Sequence, residues 1–190
     1  MRPKLGRDKI LKAAIQLFAK TGFHATSISQ IADAAAVSKG LMYNYFESKD
    51  TLLLAIIDQA SEQMFELAGS MEGSAARGPQ PYTVALRQFL DAYGTSLKKN
   101  STQLSFQLSL LYQPDLKALV LGPLQRRGEK LLATTVAMFE NAGVQNPSLT
   151  ARRFVAELDG IALHYLSIFK GYPLDDMLDY VFQNYKDLSR

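Results

Sequence analysis

Between Ser38 and Lys49 the chain gathers hydroxyl, amide and ammonium groups at helical spacing: Ser38, Lys39, Tyr43, Asn44 and Lys49. With Gly40 and Leu41 they fall on one side of a short helix, and Tyr45 stands at its boundary. Met42 and Phe46, four apart, point the other way. The groups on the outer face are hydrogen-bond donors and cations, with no acid, base or nucleophile converging among them. Their chemistry is recognition: hydrogen bonds to phosphate oxygens and contacts to base edges. Thr26, Ser27 and Ser29, at the start of the preceding segment, extend the same set.

Two helices and a turn must hold that face. Ser27 is a good N-cap and Gln30 follows three residues later, the spacing of a capping box. Ile28, Ile31, Ala32 and Ala35 then form an apolar face. Val37 anchors the turn to a core, and Ser38 caps the next helix. Residues 27–46 therefore read as a helix-turn-helix, whose second helix enters the major groove of double-stranded DNA. Taken singly, the residues have plainer readings. Tyr43 could be a half-buried aromatic, Lys39 and Lys49 solvated charges, and Ser38 and Ser48 simple caps. Their combination favours DNA.

The run ILKAAIQLFAKTGFHATSISQIA, then VSKG, then YNYFESKDTLL resembles the DNA-binding domain of the TetR family of bacterial transcriptional regulators. The resemblance covers about Arg7 to Ile57. Ala36 stands where the family usually has a turn glycine, so the turn must adopt its geometry without that help. Leu41 replaces a frequent threonine and Ser29 a longer, often basic residue, which implies less hydrogen-bonded base readout and a thymine-methyl contact for Leu41.

The chain's 190 residues are enough for one large domain or two small ones, and 47% hydrophobic content supports a sizeable core. Without cysteine there are no disulfides, thiol catalysis or thiolate metal sites. The two histidines, His24 and His164, lie far apart in sequence, so neither a metal nor a cofactor is expected. No leader or 18-residue apolar span is present, which predicts a cytoplasmic protein without membrane contact. The net charge of +3 is unevenly spread: residues 1–50 hold eight Lys/Arg against four Asp/Glu. The positive balance thus coincides with the helix-turn-helix, and a tail with Arg2, Lys4 and Arg7 could reach phosphates or a minor groove.

Helical periodicity predicts an all-α fold in two parts. A helix-turn-helix domain over 4–64 has its first helix at about Arg7–Lys20 and a fourth helix running from Ser48 to about Met71. A larger helical domain over 65–190 contains a loop at Gly73–Pro81. Its helices are expected at about Tyr82–Lys98, Thr102–Tyr112, Asp115–Leu121, Pro123–Asn141, Ser148–Lys170 and Leu174–Leu188, punctuated by Gly and Pro. The last two carry more apolar surface than one chain readily covers. Phe154, Leu158, Ile161, Leu178, Val181, Phe182 and Tyr185 are therefore expected at a homodimer interface. The resemblance implies the same arrangement. It also implies a small-molecule pocket in the second domain. Phe89, Tyr93, Phe106, Tyr112, Phe139, His164 and Tyr165 are the aromatic candidates, with Gln103 and Gln107 as polar partners; the absence of charge among them suggests an apolar ligand.

The expected function is a dimeric, ligand-responsive transcriptional regulator, a repressor released from a palindromic operator by a small apolar ligand. The alternative is an architectural or division-linked DNA-binding protein of the same fold without an effector. No acid–base–nucleophile set supports an enzyme.

Overall fold

The computed structural model describes residues 2–59 and 81–188, with side chains from Leu5 onward. The described residues are helical, without a strand. In chain order the helices are α1 (Arg2–Thr21), α2 (Ile28–Ala35), α3 (Lys39–Tyr45), α4 (residues 49–59), α5 (Tyr82–Lys99), α6 (Ser101–Leu110), α7 (Pro114–Asn141), α8 (Pro147–Leu163) and α9 (Leu174–Tyr185). A π-helical turn over His164–Ile168 continues α8. The chain forms two compact units, one of Met1–Ala60 with Thr102–Leu124, the other of Ser61–Ser101 with Gln125–Arg190.

In the first unit, α1 buries Ile10, Leu11, Ala14 and Phe18. It stops at Gly22, whose φ of 83° only glycine adopts freely and whose N–H bonds to Phe18 O. Ile31, Ala32 and Ala35 of α2, Met42 of α3 and Leu52, Leu53, Ile56 and Ile57 of α4 close the same core. Phe106, Leu110, Leu116 and Val120 also belong to it. Phe106 stacks on Phe18 with ring centroids 5.7 Å apart, and the Gln103 amide donates to Ile56 O at 3.1 Å. The expected division at residue 64 is thereby corrected: apolar residues distant in sequence complete the first core. The expected fourth helix beyond residue 59 and the loop Gly73–Gln80 lie outside the described residues.

Two further boundaries differ from expectation. α1 begins at Arg2, so the basic tail is a helical turn rather than an extended arm. α7 runs unbroken through Gly122-Pro123, which the sequence suggested as a break. A proline inside a helix forfeits one backbone hydrogen bond. Packing of Leu116 and Val120 before it, and of Thr135 and Phe139 after it, outweighs that loss.

The second unit is built around aromatic rings. Phe154 lies 4.9 Å from Tyr185, 5.7 Å from Phe139 and 5.7 Å from Phe89, centroid to centroid. Around them α5 buries Leu86, Leu90 and Leu97, α8 buries Leu158 and Ile161, and α9 buries Leu174, Leu178 and Val181. This corrects the interface expectation. Phe154, Leu158, Ile161, Leu178, Val181 and Tyr185 are all buried within their own chain. The apolar excess of α8 and α9 is absorbed by α5 and the end of α7, and Phe182 is half-buried beneath the Arg87 guanidinium, 5.2 Å from its ring.

Candidate nucleic-acid interface

The face carrying the recognition groups is set by its caps. The Gln30 N–H donates to Ser27 Oγ at 3.2 Å, and the Ser27 N–H donates to Gln30 Oε1 at 2.7 Å, completing the capping box. α2 ends on Ala36, held at φ 53°, ψ 47° in the left-handed region. An alanine there carries the strain a glycine would avoid. The Ala36 N–H bonds to Asp33 O and the Val37 N–H to Ala32 O, which fixes the turn. Ser38 then accepts from the Leu41 N–H at 3.1 Å and opens α3.

α3 buries Met42 alone. Its opposite side presents Lys39, Gly40, Leu41 (37% exposed), Tyr43 (53% exposed) and Asn44 to solvent, with Ser38 at its start. Tyr45 is half-buried against the core. Ser27 is exposed and Ser29 half-buried at the start of α2. A Cβ built at Gly40 would meet nothing within 4 Å. The fold does not require a glycine there, whereas close approach of the backbone to a ligand would.

Two of the expected contacts have other work. Thr26 is 1% exposed; its hydroxyl donates to Gly22 O at 2.7 Å and lies 2.8 Å from Thr21 Oγ1. It closes the α1–α2 turn and is withdrawn from any docking face. The Lys49 ammonium donates to Phe23 O (2.8 Å), Thr26 O (2.9 Å) and His24 O (3.3 Å), and sits 4.5 Å from the centre of the Phe23 ring. An ammonium has three N–H donors, and three carbonyls occupy them. This role was not legible in the sequence, because the partners lie 23 to 26 residues earlier.

The residues expected to line a ligand pocket do not gather in one unit. Gln103, Phe106, Gln107 and Tyr112 fall in the first, where Phe106 and Gln107 are buried and Tyr112 is 77% exposed. Phe89, Tyr93, Phe139, His164 and Tyr165 fall in the second. Phe139 is core, and the buried Tyr93 hydroxyl donates to Leu158 O at 2.8 Å. His164 meets Phe169 edge-on, centroids 5.1 Å apart, and Tyr165 is half-buried. Charge is present beside Tyr93 after all. Burial lowers the Arg127 guanidinium from its ordinary value, against the pull of Tyr93 and Asp159. Desolvation raises the Asp159 carboxyl, opposed by Arg127, and raises the Tyr93 hydroxyl. Sequence reasoning passed over Arg127 because a lone arginine on a helix is ordinarily solvated.

Residues 10–56 match the sequence profile of bacterial regulatory proteins of the tetR family. The A-factor receptor protein of Streptomyces griseus is 32% identical over 162 residues, which is 81% of this chain and 52% of that protein. The chain thus spans about half of that relative's length, and 17% and 30% of two other curated relatives. The fold resembles the fatty acid degradation regulator FadR from Bacillus halodurans (TM-score 0.72, 22% identity, 94% of this chain and 93% of that one). It also resembles Thermus thermophilus FadR, a TetR-family repressor solved with lauroyl-CoA (TM-score 0.67, 21% identity, 97% and 96%). The chain thus matches the tetR-family profile in sequence through its helix-turn-helix, residues 10–56, and shares its fold along nearly all its length with a solved repressor of that family.

Proposed function

We propose that the protein is a homodimeric transcriptional repressor that binds a palindromic DNA operator and is released by a small, mainly apolar ligand. The observation that carries the DNA reading is the outer face of α3. A helix capped by Ser38 presents Lys39, Leu41, Tyr43 and Asn44 together, beside a glycine the fold does not need. Tyr43 and Asn44 supply hydrogen bonds to phosphate or base edges, Leu41 an apolar contact to a thymine methyl, and Lys39 charge. The surplus of positive charge in residues 1–50 favours approach to the duplex. Two such helices about 34–36 Å apart would meet successive major grooves, which is the reason for a dimer.

The inner faces of α8 and α9 are occupied, so the second copy is assigned to their outer faces, where Ala156 and Tyr180 are exposed. The aromatic second unit supports an apolar ligand, and the lauroyl-CoA of the Thermus thermophilus protein supports one with an acyl chain. Ligand and operator would oppose each other by a coupling of about 1–3 kcal/mol, equally in both directions.

Selection from random duplex DNA tests the reading. An enriched inverted repeat is expected, bound by two chains, with affinity falling steeply as salt rises. Tyr43→Phe should weaken that complex by roughly 1.5–3 kcal/mol through the lost hydrogen bond to phosphate. Enrichment of no repeat would overturn operator binding. Spreading along any duplex would favour the architectural alternative.

A further inference from the structure

We propose that Gly6 and Tyr45 form a brace that fixes the C-terminal end of α3, making Gly6 a positioning residue for the docking face. The proposal rests on the DNA-binding reading above. Gly6 lies inside α1, where a glycine weakens the helix relative to an alanine. A Cβ built on it would stand 3.1 Å from Tyr45 Oη, 3.3 Å from Cε2 and 3.5 Å from Cζ. The tyrosine ring edge occupies the space a side chain would need. The next residue continues the contact: the Arg7 guanidinium lies 5.7 Å from the centre of the Phe46 ring. Two successive residues of α1 thus seat the two aromatic residues that end α3.

The consequence follows from the size of α3. It has seven residues and buries only Met42. Ser38 holds its first turn, while its last turn depends on Tyr45 and Phe46. Tyr45 cannot retreat freely, because its ring packs against the core and lies 6.4 Å from Phe46. A methyl group at position 6 must displace it by a few tenths of an ångström. That displacement is passed to Asn44 and Tyr43, one and two residues away, whose hydrogen bonds are sensitive to distance and angle.

The experiment compares the full-length parent with Gly6→Ala, Tyr45→Phe and the double variant. It reads affinity for the duplex recovered by selection, affinity for an unselected duplex, and amide hydrogen exchange across residues 39–46. Gly6→Ala should weaken the selected duplex about fivefold, a coupling ordinary for residues in contact. Binding to the unselected duplex should change less than twofold, and exchange in α3 should quicken. Tyr45→Phe, which removes the nearest atom, should restore most of the loss in the double variant. Parent-like binding and exchange by Gly6→Ala would overturn the proposal, as would a loss that Tyr45→Phe fails to restore. If Gly6→Ala does not fold, Tyr45→Ala opens the same gap from the other side. Faster exchange at residues 42–46 is then expected, and unchanged exchange overturns the brace. A parent that binds no selected duplex refutes the DNA reading instead, and the brace is then decided by exchange.

Discussion

At the scale of single residues, Lys49 shows how a charge can be taken up by its own backbone. Its ammonium donates to three carbonyls of the α1–α2 turn, one of which, Phe23 O, also accepts from the Thr26 N–H. Lys49→Ala should therefore act on stability, lowering it by about 1–2 kcal/mol in urea denaturation. Lys49→Arg should recover little, because a planar fork does not fill three convergent acceptors as a rotating ammonium does. The salt slope of DNA binding should stay near the parent value, whereas a lysine on phosphate would flatten it by about one unit. Three tyrosines of the second unit make a second test. Burial raises Tyr93 and Tyr82 well above the ordinary tyrosine value, and pushes Tyr185 up to about 12, helped by Glu157. Above pH 10 the unfolded chain releases these protons while the folded chain retains them. Stability is thus fully present below pH 10 and falls as pH rises, by up to about 1.4 kcal/mol per unit for each buried tyrosine. Urea midpoints at pH 8, 10 and 11 should show the decline, and Tyr93→Phe should make it shallower.

Among elements, α5 and α9 approach closely at Gly94. A Cβ at Gly94 would lie 2.7 Å from Leu178 Cδ1, and both residues are buried. Gly94→Ala gains helix propensity of up to about 1 kcal/mol, but overpacking costs about 1–3 kcal/mol. The net effect should be destabilising, seen as a lower melting temperature. Leu178→Val in the Gly94→Ala background should relieve part of it by shortening the opposing side chain. Around this contact run ion pairs that join the same helices, Lys98 with Asp175 at 2.6 Å and Arg87 with Asp179 at 2.6 Å. Both are solvent-exposed, so they set register more than they stabilise.

For the whole molecule, the inward burial of α8 and α9 changes what a charged substitution reports. Ile161 is 4% exposed within one chain. Ile161→Asp should unfold the second unit, since an unpaired charge in an apolar core is costly. Tyr180 is 63% exposed on the outer side of α9. Tyr180→Asp should leave the circular dichroism and melting of the chain intact while sedimentation shifts from dimer to monomer. A dimer unchanged by Tyr180→Asp would place the second copy elsewhere.

The helix-turn-helix was legible in the sequence because its signals are local. Ser27 with Gln30, Ser38, and Met42 with Phe46 act over three or four residues, the reach of a helical turn. All-helical character was legible for the same reason. Tertiary structure alone decided the rest. Lys49 found its carbonyls more than twenty residues away, and Phe106 joined Phe18 across more than eighty. Periodicity marks Phe154, Leu158 and Tyr185 as apolar but does not say what covers them, and α5 with α7 covered them before a second chain could. Gly6 and Gly94 read alike as weak points in helices, and only the ring of Tyr45 and the side chain of Leu178 distinguish what each one admits. Local hydrogen bonding is written in neighbouring residues, whereas burial is a property of whatever the folded chain brings alongside.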